Sequence, residues 1–144
     1  MIGYSRPFWP LFLHVLGAMA LFGGILTVLI VSLAARGGPG AAFLRRAALL
    51  AALAGIPDYI LMRAGAEWIY STEGWSGHGD PAWLGIGFAI ADGGLLLLLL
   101  LIGAAYWWHR SGTALAGRLA AGLSAVYLAA LGVAWLAMSG KWGS

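Results

Sequence analysis

Ala91-Asp92-Gly93-Gly94-Leu95-Leu96-Leu97-Leu98-Leu99-Leu100-Leu101 sets a lone carboxylate directly before seven consecutive leucines. A second stretch, Gly55-Ile56-Pro57-Asp58-Tyr59, places another single acid inside an apolar run. Apolar runs of roughly 20 residues cross the hydrocarbon core of a bilayer as helices. A charged side chain within one costs about 2.5–3.5 kcal/mol on insertion scales, so it usually faces a bundle interior, a partner or a water-filled cavity. Asp58 and Asp92 are therefore the residues around which the rest of the chain is read.

The composition agrees with a membrane protein. Hydrophobic residues make up 62% of the 144 and charged residues 9%, whereas soluble domains carry about 25% charged residues. There is no cysteine, which removes disulfides, thiolate metal sites and cysteine nucleophiles. The net charge of +3 comes from basic residues at the ends of apolar segments. That distribution is a topology signal and excludes nucleic acid as a partner. The lipid bilayer is the partner that the composition requires.

Four spans follow, at about 10–35, 45–66, 82–108 and 114–138, in a single transmembrane domain covering 1–144. The fold class is all-α, an integral membrane four-helix antiparallel bundle, because the connections are short. Ahead of the first span, Tyr4, Arg6, Phe8 and Trp9 mark an interface. The first apolar run exceeds the 7–15 residues usual for a signal-peptide core, so it reads as a span. Arg36-Gly37-Gly38-Pro39-Gly40 is a turn by composition. Pro57 removes a backbone donor and predicts a kink beside Asp58.

Residues 63–81 form the long polar segment, with Arg63, Glu67, Glu73, His78 and Asp80 among Trp68, Tyr70 and Trp75. Arg63 and Glu67 have the spacing of a helical ion pair. The loops after spans one and three carry Arg36, Arg45, Arg46, Arg110 and Arg118, against Arg6, Arg63 and Lys141 on the other side. The positive-inside rule then puts both termini and loop 63–81 outside, in what reads as a bacterial plasma membrane.

At ~1.5 Å per residue, His14, Asp58 and Asp92 fall in the same outer half of the membrane, on three different spans. Trp135, Met138 and Ser139 of the fourth reach a similar level, and the inner half is nearly all apolar. This predicts a polar pocket open to the outside. His14, Asp58 and Asp92 offer nitrogen and oxygen donors to a transition metal, with the thioethers of Met62 and Met138 as additional ligands suited to copper. A proton-coupled solute is a further occupant, since membrane carboxylates form relays. The same residues equally serve a structural role, an Asp–His or Asp–Arg63 pair fixing helix register in an accessory subunit with no ligand of its own. His14 is the one histidine inside a span and hence the candidate haem ligand, since His109 lies at the opposite interface. Glycine and alanine at Gly17, Ala18, Ala20, Gly23 and Gly24, and at Gly85, Ala89 and Gly93, predict close helix packing, within the chain, in a homo-oligomer or in a larger complex. Serines occupy no nucleophile-elbow context, and no glycine-rich phosphate loop is present, so no catalytic residue is assigned.

Leu13-His14-Val15-Leu16-Gly17-Ala18 with Phe22-Gly23-Gly24, and the closing Ala137-Met138-Ser139-Gly140-Lys141, resemble a broad group of small four-span membrane proteins that includes the copper-resistance protein D family. That resemblance implies a first-span histidine, His14, contacting copper or haem. A more distant analogue with a first-span histidine is the small membrane-embedded type of protoporphyrinogen oxidase, which is what raises an enzymatic role. The chain departs from the pattern in lacking a second intramembrane histidine and in carrying Trp142 where a proline often follows the terminal lysine.

Overall fold

The computed structural model describes residues 8–35, 40–72 and 82–140. Tyr4, Arg6, Arg36, Glu73, Trp75, His78, Asp80, Lys141 and Trp142 lie outside the described residues, as do the side chains of Met138 and Ser139. The described residues form four helices: α1 (Phe8–Ala34), α2 (Ala41–Thr72), α3 (Ala82–Ser111) and α4 (Ala114–Gly140). Each is long and apolar enough to cross a membrane, over Trp9–Ala34, Ala41–Trp68, Asp92–Ser111 and Ala114–Ala137. The all-α bundle read from the sequence is the observed architecture. Each helix packs on its two chain neighbours, and α4 returns to α1, so the four close into a ring in which α1 and α3, and α2 and α4, stand diagonally apart.

α2 extends past the expected span of about 45–66 at both ends. Residues 63–72, read as the start of the outer loop, continue α2. Alanine and glutamate in Ala64-Gly65-Ala66-Glu67 favour helix, and Arg63 Nε reaches Glu67 Oε1 at 3.0 Å along the same face. The polar character of this stretch reflects its position near the end of a span. Pro57 also lies within α2, with its ring on an exposed face, and the helix runs through it.

The turn between α3 and α4 shows how the end opposite the termini is made. Gly112 takes a left-handed conformation, φ +66°, and its N–H donates to Trp108 O at 2.8 Å, closing the last turn of α3 with the residue type that tolerates that backbone. Thr113 Oγ1 then accepts from Ala116 N at 3.4 Å and caps α4. The core lies toward this end: Leu21, Ile25 and Val28 of α1, Ala48 and Ala52 of α2, Leu98 and Leu101 of α3, and Ala116 and Ala120 of α4 are buried together. Trp108, expected at the interface with Tyr106 and Trp107, turns inward instead and packs on α4 at Gly117, while its two neighbours stay exposed. The buried Ser124 hydroxyl is satisfied locally, Oγ donating to Ala120 O at 2.7 Å.

Candidate functional site in the outer half

The half of the bundle nearest both termini and the α2–α3 connection, expected above to be the outer half, is organised by a close crossing of α1 and α2. A side-chain carbon on Gly65 would stand 2.5 Å from His14 N and 2.8 Å from Pro10 O. On the other helix, a carbon on Gly17 would run into Met62 N and stand 2.8 Å from Asp58 O. The two backbones therefore touch, each glycine opposing the main chain of the partner helix, as small residues allow in membranes. Among Gly17, Gly23, Gly24 and Gly93, Gly17 makes such a backbone contact. Gly24 lies in ordinary contact with Ala51 O at 3.5 Å, and Gly23 and Gly93 face open space.

This crossing fixes His14. Its Nδ1 lies 3.0 Å from Met62 O, so Nδ1 carries a proton and donates to the carbonyl, and in the neutral imidazole Nε2 keeps the lone pair. The imidazole acts first as a tie between α1 and α2.

Asp92 is tied in a different direction. Arg63 donates through Nη1 to Asp92 Oδ1 on α3 and through Nε to Glu67 on its own helix. Arg63 is thus the hub of the outer network, joining α2 to α3. The pair lies toward the surface, with the Arg63 and Asp92 side chains 27% and 68% exposed. Of the structural pairings open from the sequence, the Asp–Arg63 one is present, and the acid is Asp92.

Asp58 sits apart from both. It precedes Arg63 by five residues on α2, about 7 Å deeper by helical rise, at the level where Gly17 meets its carbonyl. Its side chain is half-buried and forms no ion pair or hydrogen bond among the described residues. His14, Met62, Arg63 and Asp92 thus occupy one layer and Asp58 the next one in. On α4, Trp135 is 71% exposed and turns away from this network.

Metal and haem can be tested against these residues. No group of three or more His, Cys, Asp or Glu among the described residues is placed to hold a metal ion. His14, Asp58 and Asp92 come to the same half of the bundle without forming one coordination sphere, because His14 is turned to α2 and Asp92 to Arg63. Met62 contributes its carbonyl to His14 while its side chain is buried in the core. For haem, His14 Nε2 would supply one axial nitrogen, and His109, in the last turn of α3, stands at the opposite end of the bundle.

Three features escaped sequence reading. Arg63 as a two-handed hub depends on which helix stands beside α2. Gly65 looks unremarkable until the register of α1 is known. The third is Tyr127 on α4, 1% exposed, whose ring lies 3.2 Å from where a side-chain carbon on Gly94 would stand. Its hydroxyl is buried without a hydrogen-bond partner among the described residues, and an unsatisfied buried polar group costs about 1–3 kcal/mol. Tyr127→Phe is therefore expected to stabilise the bundle by about 1 kcal/mol, read as a later unfolding midpoint when SDS is titrated into mixed micelles. A destabilised Phe variant would mean that the hydroxyl is bonded in the membrane.

Comparison with protein-family models, with curated proteins and with solved structures finds no match to this chain, and what the outer half does rests on its own chemistry.

Proposed function

We propose that the protein is a multi-pass membrane protein, both termini outside, whose outer half takes up a proton or small cation at Asp58. One observation carries this reading: Asp58 is a half-buried carboxylate inside an apolar span, and no cation among the described residues compensates it. The other polar residues of this half are already engaged. His14 is satisfied by a backbone carbonyl, and Asp92 and Glu67 share Arg63. A carboxylate left uncompensated among apolar residues is a functional position by its cost alone. The Arg63–Asp92–Glu67 network, one layer nearer the surface, forms a polar route to it, and His14 Nε2 adds a basic nitrogen to that layer.

A second reading draws on the same residue. Ala54, one turn before Asp58 on the same face of α2, is exposed, and Leu61, three residues after it, is partly exposed. An accessory subunit would present this face to a partner helix, with a basic side chain of the partner neutralising Asp58.

Dicyclohexylcarbodiimide separates the two, because it reacts with protonated carboxyls in apolar surroundings. The purified chain in lipid nanodiscs is treated over a range of pH and the adduct located by mass spectrometry. Modification is expected at Asp58 in preference to the ion-paired Asp92, declining as pH rises and the carboxyl ionises. It is lost in Asp58→Asn, and sodium or potassium protects if the site takes that cation. An unmodified Asp58 at every pH would end the proton–cation reading. Modification blocked only by a co-purifying subunit would establish the second.

A further inference from the structure

Asp58 stands at a boundary between two kinds of interior. Gly55 lies three residues farther from the termini on α2, about 4.5 Å by helical rise. A side-chain carbon on it would stand 2.8 Å from Leu98 Cδ1 of α3 and 3.5 Å from Leu21 Cδ1 of α1. Glycine thus lets a leucine from each neighbouring helix close over this turn of α2. Leu21 and Leu98 are fully buried, and Ile25, Val28 and Leu101 continue the same core toward the α3–α4 turn. From the fourth helix, Tyr127 packs its ring into the space that Gly94 leaves on α3. The floor beneath Asp58 is apolar and closed.

The polar side chains divide at the same level. The other titratable and charged groups described in this part of the bundle are His14 of α1, Tyr59, Arg63 and Glu67 of α2, Asp92 of α3 and Tyr127 of α4. His14 is tied to Met62 O, and Arg63 to Asp92 and Glu67. Arg45, Arg46, Tyr106, His109, Arg110 and Arg118 lie toward the far end. Arg46, the nearest of them along α2, is twelve residues from Asp58, about 18 Å of helix. Between the two sets, Thr27 Oγ1 donates to Gly23 O at 2.8 Å and Ser124 Oγ to Ala120 O at 2.7 Å, each closed on its own helix. A proton moves through a membrane protein along carboxylates and histidines or along water, and water needs polar partners and room. A close-packed apolar core offers neither.

We infer that Asp58 exchanges its proton with one face of the membrane only, the face that carries the chain termini, so that the protein registers the pH of that compartment and does not conduct protons. This rests on the reading of Asp58 given above, in its proton form. The step is a proton passing from water on that face to an Asp58 carboxylate oxygen, and returning to the same water when the pH rises. Gly17 packs on Asp58 O, so the change of charge falls at the α1–α2 crossing, where helix packing can report it.

The test places the full chain in proteoliposomes whose inner and outer pH are set independently, and reads dicyclohexylcarbodiimide labelling of Asp58 by mass spectrometry. A C-terminal tag removed by external protease sorts the molecules by orientation. Labelling is expected to fall about tenfold per pH unit on the side of the termini once the carboxyl is past its midpoint. It is expected to stay constant when the pH of the other side changes. A trapped pH dye is expected to show no more proton entry under an imposed membrane potential than in Asp58→Asn vesicles. Labelling that follows the far compartment, or a proton flux lost in Asp58→Asn, would overturn one-sided loading while keeping Asp58 as a proton-binding carboxylate. Asp58 unlabelled at every pH on both sides would instead remove the reading beneath it.

Discussion

Gly65→Ala is expected to destabilise the bundle by about 3 kcal/mol, at the upper end of the usual cost of overpacking. A single methyl there meets His14 N at 2.5 Å and Pro10 O at 2.8 Å. Both are main-chain atoms, so no flexible side chain can move aside, and relief requires α1 and α2 to separate. Separation in turn stretches the His14–Met62 hydrogen bond. Gly17→Ala acts on the same crossing from the other helix, against Met62 N and Asp58 O, and is expected to cost a similar amount. The two losses should not add, because once the helices have parted the second methyl finds room. Gly23→Ala is the control: nothing lies within 4 Å of the added carbon, and removing a helical glycine is neutral or worth up to about 1 kcal/mol. Unfolding of the three variants by SDS, followed by far-ultraviolet circular dichroism, orders them. Equal midpoints for Gly65→Ala and Gly23→Ala would mean that α1 and α2 do not cross here.

The contrast between Gly65 and Gly23 also shows where sequence reading succeeds and stops. Four spans are legible because lipid demands long apolar runs, and the Arg63–Glu67 pair is legible because it is local to one helix. The length of α2 was underestimated, since polarity in residues 63–72 resembles a loop unless the helix-forming alanines and that ion pair outweigh it. Which glycine meets which backbone is not a local property. It depends on the register of α1 against α2, and the spacing of Gly17, Gly23 and Gly24 alone does not rank them. The choice by Arg63 of Asp92 over Asp58 has the same origin. Asp58 is nearer in sequence, five residues below on the same helix, but a separation of five points away from the contact that i,i+4 allows. Asp92 arrives from α3 at the level of Arg63. Arg45 reads from sequence only as a marker of topology, and its approach to Gly112 needs the turn itself.

Arg63→Met is expected to cost about 2 kcal/mol and to loosen α3 from α2 in the outer half. Ala89, Asp92 and Gly93 of α3 are exposed, and the Arg63–Asp92 contact ties this end of α3 to α2. Exposed ion pairs are worth about 0.2–1 kcal/mol, and a helical i,i+4 pair about 0.3–0.5 kcal/mol. With Arg63 27% and Asp92 68% exposed, solvent screening keeps the pair near the upper end of the exposed range, well short of a fully buried bridge. The rest of the loss comes from Asp92 and Glu67, which lose their shared cation at the edge of an apolar region. A double-mutant cycle isolates the contact. Asp92→Asn alone removes the charge pair, and Arg63→Met in that background should cost about 1 kcal/mol less than in the parent. Arg63→Lys keeps a cation but cannot hold Glu67 through Nε and Asp92 through Nη1 at once, so it should recover only part of the stability. Amide hydrogen exchange adds the spatial readout: faster exchange in α3 residues 89–97, with residues 98–108 unchanged, is the expected pattern. Uniform acceleration along α3 would mean that Arg63 supports the whole bundle, and unchanged exchange with no coupling in the cycle would remove Arg63 as the outer tie.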